Sequence, residues 1–190
     1  MKIIICGCNG KMGKAIIKAA QSHTDCEIAA GVDKIIDSDT PFPTYESINN
    51  VKEKADVIID FSHPSALDSI LEYSEKTNTP AVLCTTGFSD EQVEKIKNAS
   101  KTMPIFYSRN ISLGINLLIE LAKKATEILE RDFDIEIIEK HHNQKIDAPS
   151  GTALMIAEEI SQTCEGKKNF WLSKIHLHKN ASTTCISAHF

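Results

Sequence analysis

Short continuous apolar runs alternate along the chain with longer stretches in which apolar residues recur every three to four positions. Ile3, Ile4, Ile5 and Cys6 form the first run and predict a buried strand over residues 2–6. Met12, Ile16, Ile17, Ala19 and Ala20 follow at helical spacing. Further strand-like runs cover 28–32, 55–61, 80–84 and 104–107. Helical stretches follow the last three: one with Leu67, Ile70 and Leu71, one with Val93, Ile96 and Ala99, and a long one from Leu113 to Leu129. Ser89 and Gln92 have the spacing of a capping box. The long helix carries Leu113, Leu117, Leu118, Leu121, Ala122, Ala125, Ile128 and Leu129, and Lys123, Lys124, Glu127, Glu130 and Arg131 are expected to form its wet face. Five strands alternating with helices predict an α/β fold, a doubly wound parallel sheet that binds ligands at the carboxyl edges of its strands.

The pattern changes near residue 130. Residues 134–139 are rich in isoleucine and predict another strand, while Ala153, Leu154, Ile156, Ala157 and Ile160 predict a helix. Residues 1–129 are therefore expected to form the parallel-sheet domain and 130–190 a second, α+β domain. Residues 164–190 have no clear periodicity, so that second domain is expected to be incomplete.

The loop after the first run reads Gly7-Cys8-Asn9-Gly10-Lys11-Met12-Gly13. Glycines between a strand and a helix let the backbone approach a pyrophosphate at the helix start. The spacing is G-x-x-G-x-x-G, a departure from G-x-G-x-x-G that a plain tight turn would also satisfy. Asp33 strengthens the reading: it closes the second apolar run, twenty residues past Gly13, where a carboxylate for ribose hydroxyls belongs. Lys34 beside it can balance a 2′-phosphate, so NADH and NADPH both remain open.

A second chemical stretch, His141 to Thr152, reads HHNQKIDAPSGT and is expected to be a strand-to-helix loop. Pro149 forbids helix before it and Ser150 is a good N-cap, which leaves the N–H groups of Gly151, Thr152 and Ala153 pointing out of the helix start as an anion site. A carboxylate held there would lie near Lys145 and two imidazoles able to supply protons.

The bulk numbers narrow the partners. The chain has 190 residues, a formal net charge of −5 and no concentrated basic run, which argues against nucleic acid. The first apolar run is too short for a signal peptide, and no membrane segment is expected, so the protein is read as cytoplasmic. Six cysteines without C-x-x-C spacing read as free thiols, and His176-Leu177-His178 lacks a third ligand, so no metal is expected.

In order along the chain, GCNGKMG at 7–13, DFSHP at 60–64, CTTGF at 84–88, SRNISLGIN at 108–116 and EKHHNQKIDAPSGTAL at 139–154 resemble the signatures of the 4-hydroxy-tetrahydrodipicolinate (dihydrodipicolinate) reductase family. The resemblance covers roughly residues 1–160. It implies a Rossmann-like domain with a substrate domain, and reduction of a cyclic imine dicarboxylate by NADH or NADPH, with loss of water, in the diaminopimelate route to lysine. It places His141 and Lys145 as the acid-base pair and His142, Gly151 and Thr152 on the substrate carboxylates. On the cofactor side it implies Gly7, Cys8, Asn9, Gly10, Lys11, Met12, Asp33, Cys84, Thr85, Thr86, Ser108, Arg109, Asn110 and Ile111. Cys84 stands where many members have glycine. Family members are homotetramers and are longer, with further strands for assembly. Beyond about residue 163 this chain departs from them, and the alternative expectation is a relative that binds dinucleotide without turnover.

Overall fold

The computed structural model describes residues 1–36, 40–142, 149–164, 171–175 and 183–189. It divides into two compact units, residues 1–108 and 109–190. The sequence pattern had set a boundary at 129/130.

In the first unit, β1 (Lys2–Cys6) leads through the glycine turn into α1 (Lys11–Gln21), followed by β2 (Glu27–Val32) and the two-residue β3 (Thr44–Tyr45). Then come β4 (Val57–Asp60), α2 (Leu67–Thr77), β5 (Ala81–Leu83), α3 (Asp90–Ala99) and β6 (Ile105–Tyr107). The sheet has six parallel strands in the order β3-β2-β1-β4-β5-β6. β3 adds to the five expected strands; two residues paired only through Gly31 and Val32 leave no periodic signal. The strand order reverses between β1 and β4, which makes their carboxyl ends the switch point of the sheet.

β1 is a continuous apolar run because both of its faces are covered. Ile4 and Cys6 belong to a core with Ile58, Leu83, Leu67 and Ile70, while Ile3, Ile5 and Cys8 pack with Ile16 and Ile17 of α1 on the other face. The capping box at α3 forms as expected: the Ser89 hydroxyl accepts from the Gln92 N–H at 3.2 Å, and the Gln92 side chain accepts from the Ser89 N–H at 3.1 Å.

The second unit contains α4 (Leu113–Leu129), β7 (Glu136–His142), α5 (Gly151–Thr163), β8 (Trp171–Ile175) and β9 (Thr183–His189). Its sheet is antiparallel in the order β7-β9-β8. Residues 183–189, from the stretch without clear periodicity, form the central strand β9. Its ladder reaches His141 and His142, opposite Thr184 and Thr183, so both histidines sit on a strand and not in a loop. α4 packs on α5; Ile119, Thr126 and Glu130, the last expected on the wet face, are buried and Lys123 pairs with Glu159 at 2.9 Å, whereas Leu113, Leu117 and Leu121 are exposed.

Candidate functional site

The glycine turn is shaped by close approach of backbone to backbone. Gly7 has φ +78°, and a Cβ there would stand 2.5 Å from the Phe61 carbonyl oxygen. A Cβ on Gly13 would stand 2.1 Å from the Gly7 carbonyl oxygen. Gly10 differs: a Cβ would meet only the Gly7 oxygen, at 3.3 Å. Gly10 is also the N-cap of α1, which receives no side-chain cap, so the first turn at Lys11 and Met12 keeps backbone donors directed outward. The first two residues of the turn face inward: Gly7 N–H donates to the Val32 carbonyl at 2.8 Å, Cys8 N–H to the same oxygen at 3.4 Å, and the Cys8 side chain is fully buried.

Asp33 lies across from this turn at the end of β2. One carboxylate oxygen accepts the Asn9 N–H at 2.9 Å and the other the Ile35 N–H at 3.3 Å, so the group is oriented before any ligand arrives. Between them opens a cleft of about 610 Å³ lined by Gly7, Gly10, Asp33, Lys34, Ser62 and His63 among others, within the size range of small-molecule sites. A Cβ-free rim at Gly10, an uncapped helix start and an oriented carboxylate are what a dinucleotide requires, and the residues present fit one.

Ser62 and His63 belong to the DFSHP stretch at 60–64 quoted from the sequence, but neither is among the residues expected to contact the cofactor. Ser62 is held by Asp60, buried at the carboxyl end of β4 and paired in register with Cys6, while the His63 ring bonds Ser65. Asp60 accepts from both the N–H and the hydroxyl of Ser62. Burial pushes its carboxyl up from the ordinary 3.8, opposed by the hydrogen bonds from Ser62. A carboxyl raised in the folded state binds its proton more readily there than in the unfolded chain. Its stabilising contribution is therefore fully present below 3.8 and lost as pH rises through the raised value. The stability advantage of Asp60→Asn over the parent should be largest at neutral pH and shrink toward pH 4; a difference in Tm that stays constant across that range would contradict it.

Cys84 N–H donates to the Asp60 carbonyl at 2.9 Å, and its buried thiol is pushed up by desolvation and then by Asp60. Thr85 is buried next to it and Thr86 is exposed. Ser108 closes the first unit with its N–H on the Leu83 carbonyl at 3.3 Å. Cys6, Cys8, Cys26, Cys84 and Cys164 are not in disulfides.

In the second unit the loop before α4 and the start of α5 are tied together. Asn110 donates to the Thr152 hydroxyl at 2.7 Å, Arg109 pairs with Glu158 at 2.7 Å, and a Cβ on Gly151 would meet the Arg109 side chain at 3.2 Å. Ile111 is exposed. Ser150 caps α5 by accepting the Ala153 N–H at 3.0 Å. Ala153 is thus not one of the open donors expected there, and Gly151 and Thr152 are the first-turn positions left for an anion. His141 pairs through Nδ1 with Glu139 at 3.3 Å. Lys145 lies outside the described residues, as do residues 176–178, and only the backbone of His142 is described. No helix among the described residues is long and apolar enough to cross a membrane.

Comparisons with known proteins bear on both units. The chain matches the family model "Dihydrodipicolinate reductase, N-terminus" over residues 1–111 and "Dihydrodipicolinate reductase, C-terminus" over 114–189, which carries the likeness past the point where the motifs end. It is 49% identical over 162 residues to the 4-hydroxy-tetrahydrodipicolinate reductase of Clostridium novyi, covering 85% of this chain and 64% of that protein. It is 50% identical over 170 residues to the protein of the same name from Caldanaerobacter subterraneus, covering 90% and 67%. The chain therefore spans about two thirds of the length of these relatives. Among solved structures, a dipicolinate-bound dihydrodipicolinate reductase from Paenisporosarcina sp. TG-14 matches with a TM-score of 0.70 at 24% identity, over 95% of this chain and 70% of that one, and shares the fold. With both halves matched and identity near one half, the chain belongs to the dihydrodipicolinate reductase family.

Proposed function

We propose that this chain is an NAD(P)H-dependent reductase that converts 4-hydroxy-tetrahydrodipicolinate, with loss of water, to tetrahydrodipicolinate. Its place is then in cytoplasmic lysine biosynthesis through diaminopimelate. The observation that carries this reading is the match of both family halves together with 49% identity to a relative of that name.

The turn at Gly7, Cys8, Asn9, Gly10, Lys11 and Met12 receives the pyrophosphate, through backbone donors at the start of α1. Asp33 takes the adenine ribose hydroxyls with the lone pairs that Asn9 and Ile35 leave. Lys34 on the cleft wall accommodates a 2′-phosphate. Cys84, Thr85, Thr86 and Ser108 complete the part of the dinucleotide site carried by the first unit. The bound nicotinamide supplies a hydride. His141 and Lys145 supply protons to the reduced substrate, and His142, Gly151 and Thr152 hold its carboxylates, the last two through the first-turn N–H groups of α5.

The test is direct. The purified chain, given freshly prepared 4-hydroxy-tetrahydrodipicolinate, should consume NADH or NADPH at a rate that depends on both reactants. A chain that binds NADH in calorimetry but consumes none with substrate present would replace the reading with dinucleotide binding alone. Asp33→Ala should weaken NADH more than NADPH, since only NADH offers both ribose hydroxyls to the carboxylate. Equal losses for the two would remove Asp33 from that role.

A further inference from the structure

Glu139 has no role among the residues above, yet it lies between His141 and the start of α5. It lies two positions before His141 on β7, so the two side chains project from the same face of the strand. One carboxylate oxygen, Oε1, accepts the backbone N–H of Ser150 at 2.8 Å, eleven residues further along the chain. The other, Oε2, faces Nδ1 of His141 at 3.3 Å. That oxygen is buried and makes no formed hydrogen bond among the described residues, so the His141 ring stands within ion-pair reach of a carboxylate oxygen that still needs a donor. The Glu139 side chain is only 10% exposed, whereas that of His141 is 35% exposed and open to a ligand.

Each contact constrains a different part of the site. The bond from Ser150 holds the residue that caps α5, and through it the first-turn positions Gly151 and Thr152. A buried carboxylate facing Nδ1 favours a proton on that nitrogen, because a neutral imidazole with a bare Nδ1 would place two lone pairs against each other. The remaining ring nitrogen, Nε2, then becomes the one that exchanges protons.

We propose that Glu139 is a positioning residue that fixes the tautomer and orientation of His141 and locks it in register with the start of α5. The functional weight of this role rests on the reading of His141 as a proton donor. The tautomer itself does not. Carboxylates that orient a metal-bound histidine are worth about 10- to 100-fold in activity, and a loss of that order is expected for His141.

The experiment uses ¹⁵N-histidine-labelled protein at a pH where the ring is neutral. In the parent, His141 should show the Nδ1–H tautomer. In Glu139→Gln the carboxamide oxygen keeps the Ser150 N–H and turns its NH₂ toward His141, so the ring should switch to the Nε2–H form. Turnover should fall about 10- to 100-fold while the affinity for NADH stays unchanged. Glu139→Asp should keep the Nδ1–H signature in part and recover part of the rate. A parent His141 in the Nε2–H form, or ¹⁵N shifts unmoved by Glu139→Gln, overturns the proposal. The first of these needs no variant to fold. If the tautomer switches as expected while His141→Gln keeps the parent rate, the link from Glu139 stands and it is the proton-donor reading that fails.

Discussion

Gly13→Ala should disrupt the first unit, whereas Gly10→Val should leave it folded and abolish NADH binding. The two glycines are three residues apart in the same turn and serve different ends. A methyl group on Gly13 would sit 2.1 Å from the Gly7 carbonyl oxygen and 2.7 Å from both Cα and the carbonyl oxygen of Cys8, all of them backbone atoms that cannot swing aside. Overpacking of this kind costs about 1–3 kcal/mol and occasionally more. A clash with rigid backbone belongs at the upper end, which would lower the Tm of a unit this size by roughly 10 °C or more. Gly10 has extended backbone, φ −69° and ψ 168°, that any residue can adopt. Valine there weakens the N-cap by about 1 kcal/mol. Its branched side chain would nevertheless stand on the rim of the cleft, where a pyrophosphate must come within hydrogen-bonding distance of the first turn of α1. Calorimetry with NADH and thermal melts on both variants separate the effects. A Gly10→Val chain that binds NADH like the parent would show that the turn is not the phosphate site.

His141→Gln should lower turnover by about 100- to 10,000-fold, the usual worth of a general acid or base. Its affinity for NADH should not change, because the cleft is lined by residues 6–70. Glutamine is close to the ring in length and keeps a polar group near Glu139, so the loss would report proton transfer more than packing. Steady-state kinetics at saturating dinucleotide, with NADH binding measured separately, check the split between the two. A variant that retains more than about a tenth of the parent rate would remove His141 from the chemistry.

Much of the first unit was legible because its signals are local. An apolar run buried on both faces, a glycine turn, a helix with its own cap and an acid at the end of the next strand each lie within a few residues of sequence. The strands around the switch point and the capping box at Ser89 and Gln92 appear where those signals place them. The second unit was less legible because its strongest constraints act over long distances. Residues 183–189 carry no periodicity of their own and become the central strand by pairing with β7 and β8 on either side. That same pairing draws His141 and His142 out of the expected loop. In α4, which packs on α5, Thr126 and the C-cap residue Glu130 are buried while Leu117 and Leu121 are exposed, an outcome that the apolar pattern along the helix does not announce.

By itself the sequence determined the parallel sheet, the place of its ligand cleft and the residue types gathered at two chemical stretches, since all of these follow from spacing along the backbone. Only the tertiary structure decided how those residues are placed and what they touch. Cys8 turns into the core while Gly10 stays at the rim, Ala153 spends its N–H on Ser150, and Glu139 faces both His141 and the start of α5. The reason is physical: a hydrogen bond or a buried carboxylate is defined by the partner opposite it, and that partner is chosen by folding, eleven residues along the chain for Ser150 and Glu139 and twenty-four for Asn9 and Asp33.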